Sequence, residues 1–166
     1  MMFVDIECRR MIDAIDSKIL KILQENSRTP NSEIARQVGL VPSATLERIR
    51  KLEERGVIEG YGVRVRGSKV GLGLLAFVFV RTDELTSDSK TAQAMAEIPE
   101  VLEVHHVAGE DCFLAKVRTP DTESLGRLLR EQFGKIKSVR STRTTIVLDT
   151  VKETTALPLT ETNKKG

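Results

Sequence analysis

Only two cysteines occur, Cys8 and Cys112, too far apart for a metal-ligand or dithiol redox spacing. A reduced, cytoplasmic setting is the simplest reading of such sparse usage. An excess of one charge is also lacking: 26 Lys and Arg stand against 24 Asp and Glu, for a net +2. Affinity for a polyanion must therefore come from a local face or from repeated copies. The longest apolar run, Leu72 to Val80, is too short to span a bilayer. The charged residues Asp5, Glu7, Arg9 and Arg10 leave no apolar core for a signal peptide, so no membrane partner is expected. What remains is a chain of 166 residues, 40% hydrophobic and 30% charged, with enough length for one large domain or two small ones.

The most patterned stretch is NSEIARQVGLVPSATLERIRKLEERGVIEGY, residues 31–61. Ile34, Ala35 and Val38 fall on one face of a first helix. Gly39 supplies the positive φ that ends it, and Leu40 turns back toward the core. Pro42 suits the first position of a second helix, where its missing N–H would have no partner anyway. Thr45, Ile49 and Leu52 form that helix's inner face, whereas Ser43, Ala44, Glu47, Arg48 and Lys51 look outward. Small residues first and cations further along suit entry into a major groove, with the second helix reading base edges. Charge alone fits a solvated amphipathic pair equally well, since acidic and basic residues roughly balance over residues 1–60. The conjunction of Ala35, Gly39, Leu40, Pro42 and the Ile49/Leu52 stripe favours a helix-turn-helix.

Upstream, a helix begins after Asp13 as cap and buries Ile12, Ile15, Ile19, Ile22 and Leu23. Asn26 to Pro30 breaks it, with Thr29 placed to cap the next helix and Pro30 at its first position. Gly56 ends the third helix, and Val57-Ile58 hooks back to the core. Residues 61–72 read as an extended hinge, in which Val63 and Val65 alternate with Arg64 and Arg66. Beyond it, Leu74 to Val80 is a strand with Leu75, Phe77 and Phe79 on one face and Ala76, Val78 and Val80 on the other. A helix over Lys90 to Glu97, capped from Ser87 or Ser89, precedes strands over Val101 to Val107 and Phe113 to Val117. A helix over Thr122 to Phe133 and a strand over Ser141 to Val151 complete the order βαββαβ, the ferredoxin-like arrangement. The expected fold is α+β: a (winged) helix-turn-helix domain over residues 1–60, then an antiparallel ferredoxin-like domain over residues 73–152. A polar tail follows over residues 153–166. Two helices cover one sheet face only, so the second apolar face calls for another copy.

At this level of detail the chain resembles the Lrp/AsnC, or feast/famine, family of regulators. The segments carrying the resemblance are IDAIDSKILKIL, RTPNSEIARQVGLVPSATLERIRKLEERGVIEGY and VHHVAGEDCFLAKV, with the terminal strand running into VKE. The resemblance implies a transcriptional regulator with nucleoid association, bound to double-stranded DNA as a homodimer or an octamer built as a tetramer of dimers. It also implies a small effector, commonly an amino acid, and neither enzymatic activity, a metal nor a cofactor. Carried over by position, the DNA-binding residues are Ser43, Ala44, Thr45, Glu47, Arg48 and Lys51, with Thr45 as an inward support. The effector turn corresponds to Ala108, Gly109, Glu110, Asp111 and Cys112. Three departures stand out: Val41 where a capping Ser is usual, Glu47 where a base is frequent, and Ala108 with Cys112 where hydroxyl and Asp are common. The alternative is an architectural DNA-binding protein with no effector. His105 and His106 invite a metal reading, but neighbours on a strand point to opposite faces.

Overall fold

The computed structural model describes residues 12–83, 90–109 and 112–159. Two compact units emerge. One runs through Val63 and includes the C-terminal segment from Glu153; the other is Arg64–Lys152.

The first unit holds α1 (Ala14–Glu25), α2 (Asn31–Val38) and α3 (Pro42–Glu54). Asp13 and Asp16 form a reciprocal capping box at the start of α1, satisfying two otherwise orphan N–H groups. Ile19, Leu20, Ile34, Ile49 and Leu52 make the core, flanked by Ile12, Ile15, Ile22, Leu23, Val38, Val57 and Ile58. Gly39 ends α2 at φ 73°, and the Leu40 N–H closes on the Ala35 carbonyl at 3.0 Å. Pro30 rather than Thr29 occupies the cap of α2. The Thr29 hydroxyl instead donates to the Asn26 carbonyl at 2.8 Å, closing the preceding turn on itself. After α3, the Val57 and Ile58 N–H groups both close on the Leu52 carbonyl.

The tail is polar apart from Leu157 and Leu159. Its described part, as far as Leu159, docks on α1 within the same unit: the Gln24 amide donates to the Leu157 carbonyl at 3.2 Å and accepts from its N–H at 2.6 Å. Leu159 packs against the three-helix core. Replacing Leu159 by Asp places a charge against that apolar surface. With Gln24→Ala as the second variant, each is expected to lower the stability of the three-helix unit by about 1–2 kcal/mol. Thermal unfolding of the full-length chain checks this.

The second unit is a four-stranded antiparallel sheet of β1 (Leu74–Thr82), β2 (Val101–His106), β3 (Phe113–Thr119) and β4 (Val139–Ile146), in the order β2-β3-β1-β4. Helices α4 (Lys90–Ala96) and α5 (Thr122–Glu131) supply Met95, Leu125 and Leu128 to a core with Ala76, Val78, Val80, Ala115 and Val117. The expected caps at Ser87 and Ser89 lie outside the described residues. Asp121 caps α5 by accepting from the Ser124 N–H at 2.7 Å. That helix stops at Glu131, and Phe133 reaches the core from a short 3₁₀ turn instead. The last strand begins earlier and ends sooner than its Thr- and Val-rich sequence indicates. Ala76 pairs with Ile146, and the Val147 N–H bonds the Leu75 carbonyl as the last contact of this ladder.

Candidate nucleic-acid interface and effector turn

Val41 precedes α3 in an extended conformation and Pro42 opens the helix, with no side-chain cap. Thr45, Ile49 and Leu52 are buried on the inner face, and the Thr45 hydroxyl donates to the Val41 carbonyl at 3.2 Å. Thr45 thus fixes the first turn instead of facing out. With the inner face held, the turn at Gly39 leaves Ser43 and Glu47 exposed and Ala44 half-buried. Lys51 is exposed too, its Nζ 3.4 Å from Glu47 Oε1. A surface pair of this kind contributes little and leaves the ammonium able to swing to a phosphate.

Arg48, expected on the outward face, is clasped within the head. Its Nη1 donates to Asp13 Oδ2 and Asp16 Oδ1, both at 2.7 Å. The side chain is 32% exposed, and that of Asp16 only 10%. On a 100° helical wheel, position 48 lies beside the inner stripe, which turns the guanidinium toward the start of α1. Burial acts to raise the Asp13 carboxyl, but the Asp16 N–H and the Arg48 hydrogen bond and charge together hold it below its usual value. The same wheel places Arg50 and Leu46 on the outward arc, where both are exposed. Neither was singled out by the small-then-basic pattern; carrying the wheel through every position would have found them. Tyr61 anchors the exit from the head, donating to Glu53 at 2.8 Å; partial burial and the Glu53 carboxylate push its phenol up to about 12.

In the sheet unit, Val107 and Cys112 bracket the turn between β2 and β3. The Val107 N–H bonds the Cys112 carbonyl at 3.0 Å, and the Cys112 N–H bonds the Val80 carbonyl at 2.9 Å. Gly109 sits at φ 139° with open space where a side chain would begin, so backbone groups beside it are approachable. Ala108 is exposed and Cys112 half-buried; Glu110 and Asp111 lie outside the described residues. The Cys112 thiol faces the Thr82 carbonyl at 3.9 Å. His105 lies 3.3 Å from Glu103, whereas the His106 ring packs at 5.2 Å from that of Phe113. Among the described residues, no three His, Cys, Asp or Glu side chains gather where a metal could bind. No described helix is long and apolar enough to cross a membrane.

The arrangement offers a helix with an exposed outer face on one unit and an approachable turn on the other. Residues 75–157 match the family described as Lrp/AsnC ligand binding domain, and residues 12–59 match one described as winged helix-turn-helix DNA-binding. The chain is 40% identical to the HTH-type transcriptional regulator FL11 of Pyrococcus horikoshii, across 89% of this chain and 97% of that protein. Identity to the leucine-responsive regulatory protein of Escherichia coli K12 is 34%, across 88% and 90% of the two chains. Among solved structures, a Neisseria meningitidis transcriptional regulator in complex with L-methionine superposes with a TM-score of 0.83 at 31% identity. That match covers 89% of this chain and 97% of the other.

Proposed function

The chain belongs to the Lrp/AsnC family of transcriptional regulators, and from that premise we propose that copies joined through the sheet read one duplex site together under control of an amino acid. The observation that carries this reading is α3: its inner face is buried and its Gly39-led entry leaves Ser43, Ala44, Glu47 and Lys51 at the surface. In this reading Arg48 and Thr45 hold the helix in place, while Ser43, Ala44, Glu47 and Lys51 meet the duplex. Glu47, exposed on that face, would accept from a cytosine amino group. The near-neutral head gains affinity by presenting two copies, each contributing phosphate contacts whose counterions are released on binding.

Gel-shift titration at several salt concentrations tests the DNA part. Four phosphate contacts per dimer correspond to a log–log slope of about −3.6, so affinity for a selected site is expected to fall roughly 100-fold between 50 and 200 mM salt. Preference for that site over random duplex is expected to persist; equal affinity for both would reject sequence-specific reading.

The effector part rests on the conformation and openness of Gly109, and on the L-methionine held by the Neisseria relative. A ligand that binds only the folded chain raises its melting temperature with the logarithm of concentration. A thermal-shift screen of the amino acids is expected to find at least one that does so, with the response lost in Gly109→Val. A flat response to every amino acid would favour the effector-independent architectural role.

A further inference from the structure

Three apolar residues stand at the entrance of α3, where a groove-reading helix meets base edges. Val41 is 62% exposed and Leu46 is 46% exposed, and Pro42 between them is exposed as well. Pro42 and Leu46 are four residues apart and therefore neighbours on one flank of the helix. None of the three is needed for the head's core, which Ile19, Leu20, Ile34, Ile49 and Leu52 complete without them. Val41 moreover occupies a position where Ser, Thr, Asp or Asn would satisfy an orphan N–H, and α3 carries no side-chain cap. The sequence thus forgoes a stabilising group at this point and presents an apolar one.

We infer that Leu46, with Val41 at the mouth of the same helix, reads the C5-methyl groups of thymines in the major groove. This rests on the DNA-reading role of α3 proposed above and names the base that role selects. The thymine methyl is the apolar feature of the major-groove edge, so an apolar flank on a reading helix discriminates thymine from cytosine and from the purines. The head's charge points the same way. Over residues 1–63 acidic and basic residues are equal in number, Arg48 is tied to Asp13 and Asp16, and Glu47 repels phosphate. Discrimination therefore falls on contacts to base edges. Leu46 and Val41 supply the apolar ones, with Glu47 as the neighbouring acceptor.

The test starts with duplexes selected by the full-length protein from a random pool. Each thymine of the selected site is then replaced singly by deoxyuridine, which removes the methyl and nothing else. Wild-type affinity is expected to fall about fourfold at one or two thymines per half-site, the value of one buried carbon, and to be unchanged elsewhere. Leu46→Ala, at a half-exposed position, is expected to bind thymine and deoxyuridine duplexes equally at the principal position. Val41→Ser is expected to lose discrimination at the adjacent thymine while melting at a higher temperature, because serine restores the cap; its folding is thereby assured. Indifference of the wild type to every replacement overturns the inference and leaves DNA reading intact. Undiminished methyl sensitivity in both variants overturns it as well, and assigns the apolar flank to a protein partner. A pool that yields no enriched site overturns the underlying reading together with it.

Discussion

Phe77→Glu is expected to dissociate the protein into monomers and to weaken operator binding by about 10²–10⁴-fold. Phe77 is half-buried on β1, opposite Lys116 of β3 and Thr145 of β4, on the sheet face away from α4 and α5. Phe79 lies two residues along, opposite Leu114 and Arg143, with the Arg143 guanidinium 4.0 Å above its ring. This apolar strip is edged by charge, since Lys116 pairs with Glu103 at 3.0 Å. In the proposed assembly a second copy covers the strip, so a carboxylate at position 77 would be buried beneath it. Stranding a buried charge in this way typically costs about 3–5 kcal/mol, or a dissociation constant raised by roughly 10³. The monomer should tolerate the change, because the new carboxylate faces the Lys116 ammonium across the strand pair. Light scattering measures the mass, and the gel shift measures the lost bivalency. A variant that remains dimeric with unchanged DNA affinity would show that the copies meet elsewhere.

Why the sheet face could be read from sequence and other features could not is a matter of range. Alternation of Leu75, Phe77 and Phe79 against Ala76, Val78 and Val80 is a local property of one strand, and the pairing register preserves it. Gly39, Pro42 and the Thr45/Ile49/Leu52 stripe are equally local, because a turn conformation and a 3.6-residue period need no distant partner. Arg48 is different. Its direction is decided by Asp13 and Asp16, more than thirty residues earlier, and no periodicity within α3 reveals an acidic pair waiting at the start of α1. The tail poses the same problem at greater distance: Leu157 meets Gln24 across 133 positions. The end of β4 is not legible because Thr and Val favour strand all the way to Val151, whereas pairing with β1 ends at Ala76↔Ile146 and the single bond beyond it. At the turn between β2 and β3, the freedom of Gly109 is legible in sequence, whereas the carboxylates expected to hold an ammonium group, Glu110 and Asp111, lie outside the described residues.

Arg48→Ala is expected to destabilise the three-helix head by about 2 kcal/mol while leaving its choice of DNA sequence intact. Removing one member of a fully buried ion pair typically costs about 3–5 kcal/mol. The figure is lower here because Arg48 is a third exposed and Asp13 half exposed, so water screens part of the interaction. Most of the loss comes from Asp16, whose side chain is only 10% exposed and is left without its guanidinium. Asp16→Asn in the Arg48→Ala background removes that orphan charge and is expected to recover part of the stability, giving a coupling of about 1 kcal/mol in the double-mutant cycle. A dependence on pH accompanies it. The Asp13 carboxyl is held below its usual value in the folded chain, so its contribution is present above the unfolded value near 4 and lost as pH falls through the folded one. Wild-type stability should therefore decline on acidification below about pH 4, and the Arg48→Ala variant should decline less steeply, having lost part of what protonation removes. Chemical denaturation across that range measures both slopes. At a temperature where the variant remains folded, its preference among duplexes should match the wild type's. Unchanged stability combined with relaxed selectivity at a single base pair would instead make Arg48 a reader, and would require the clasp to open on DNA.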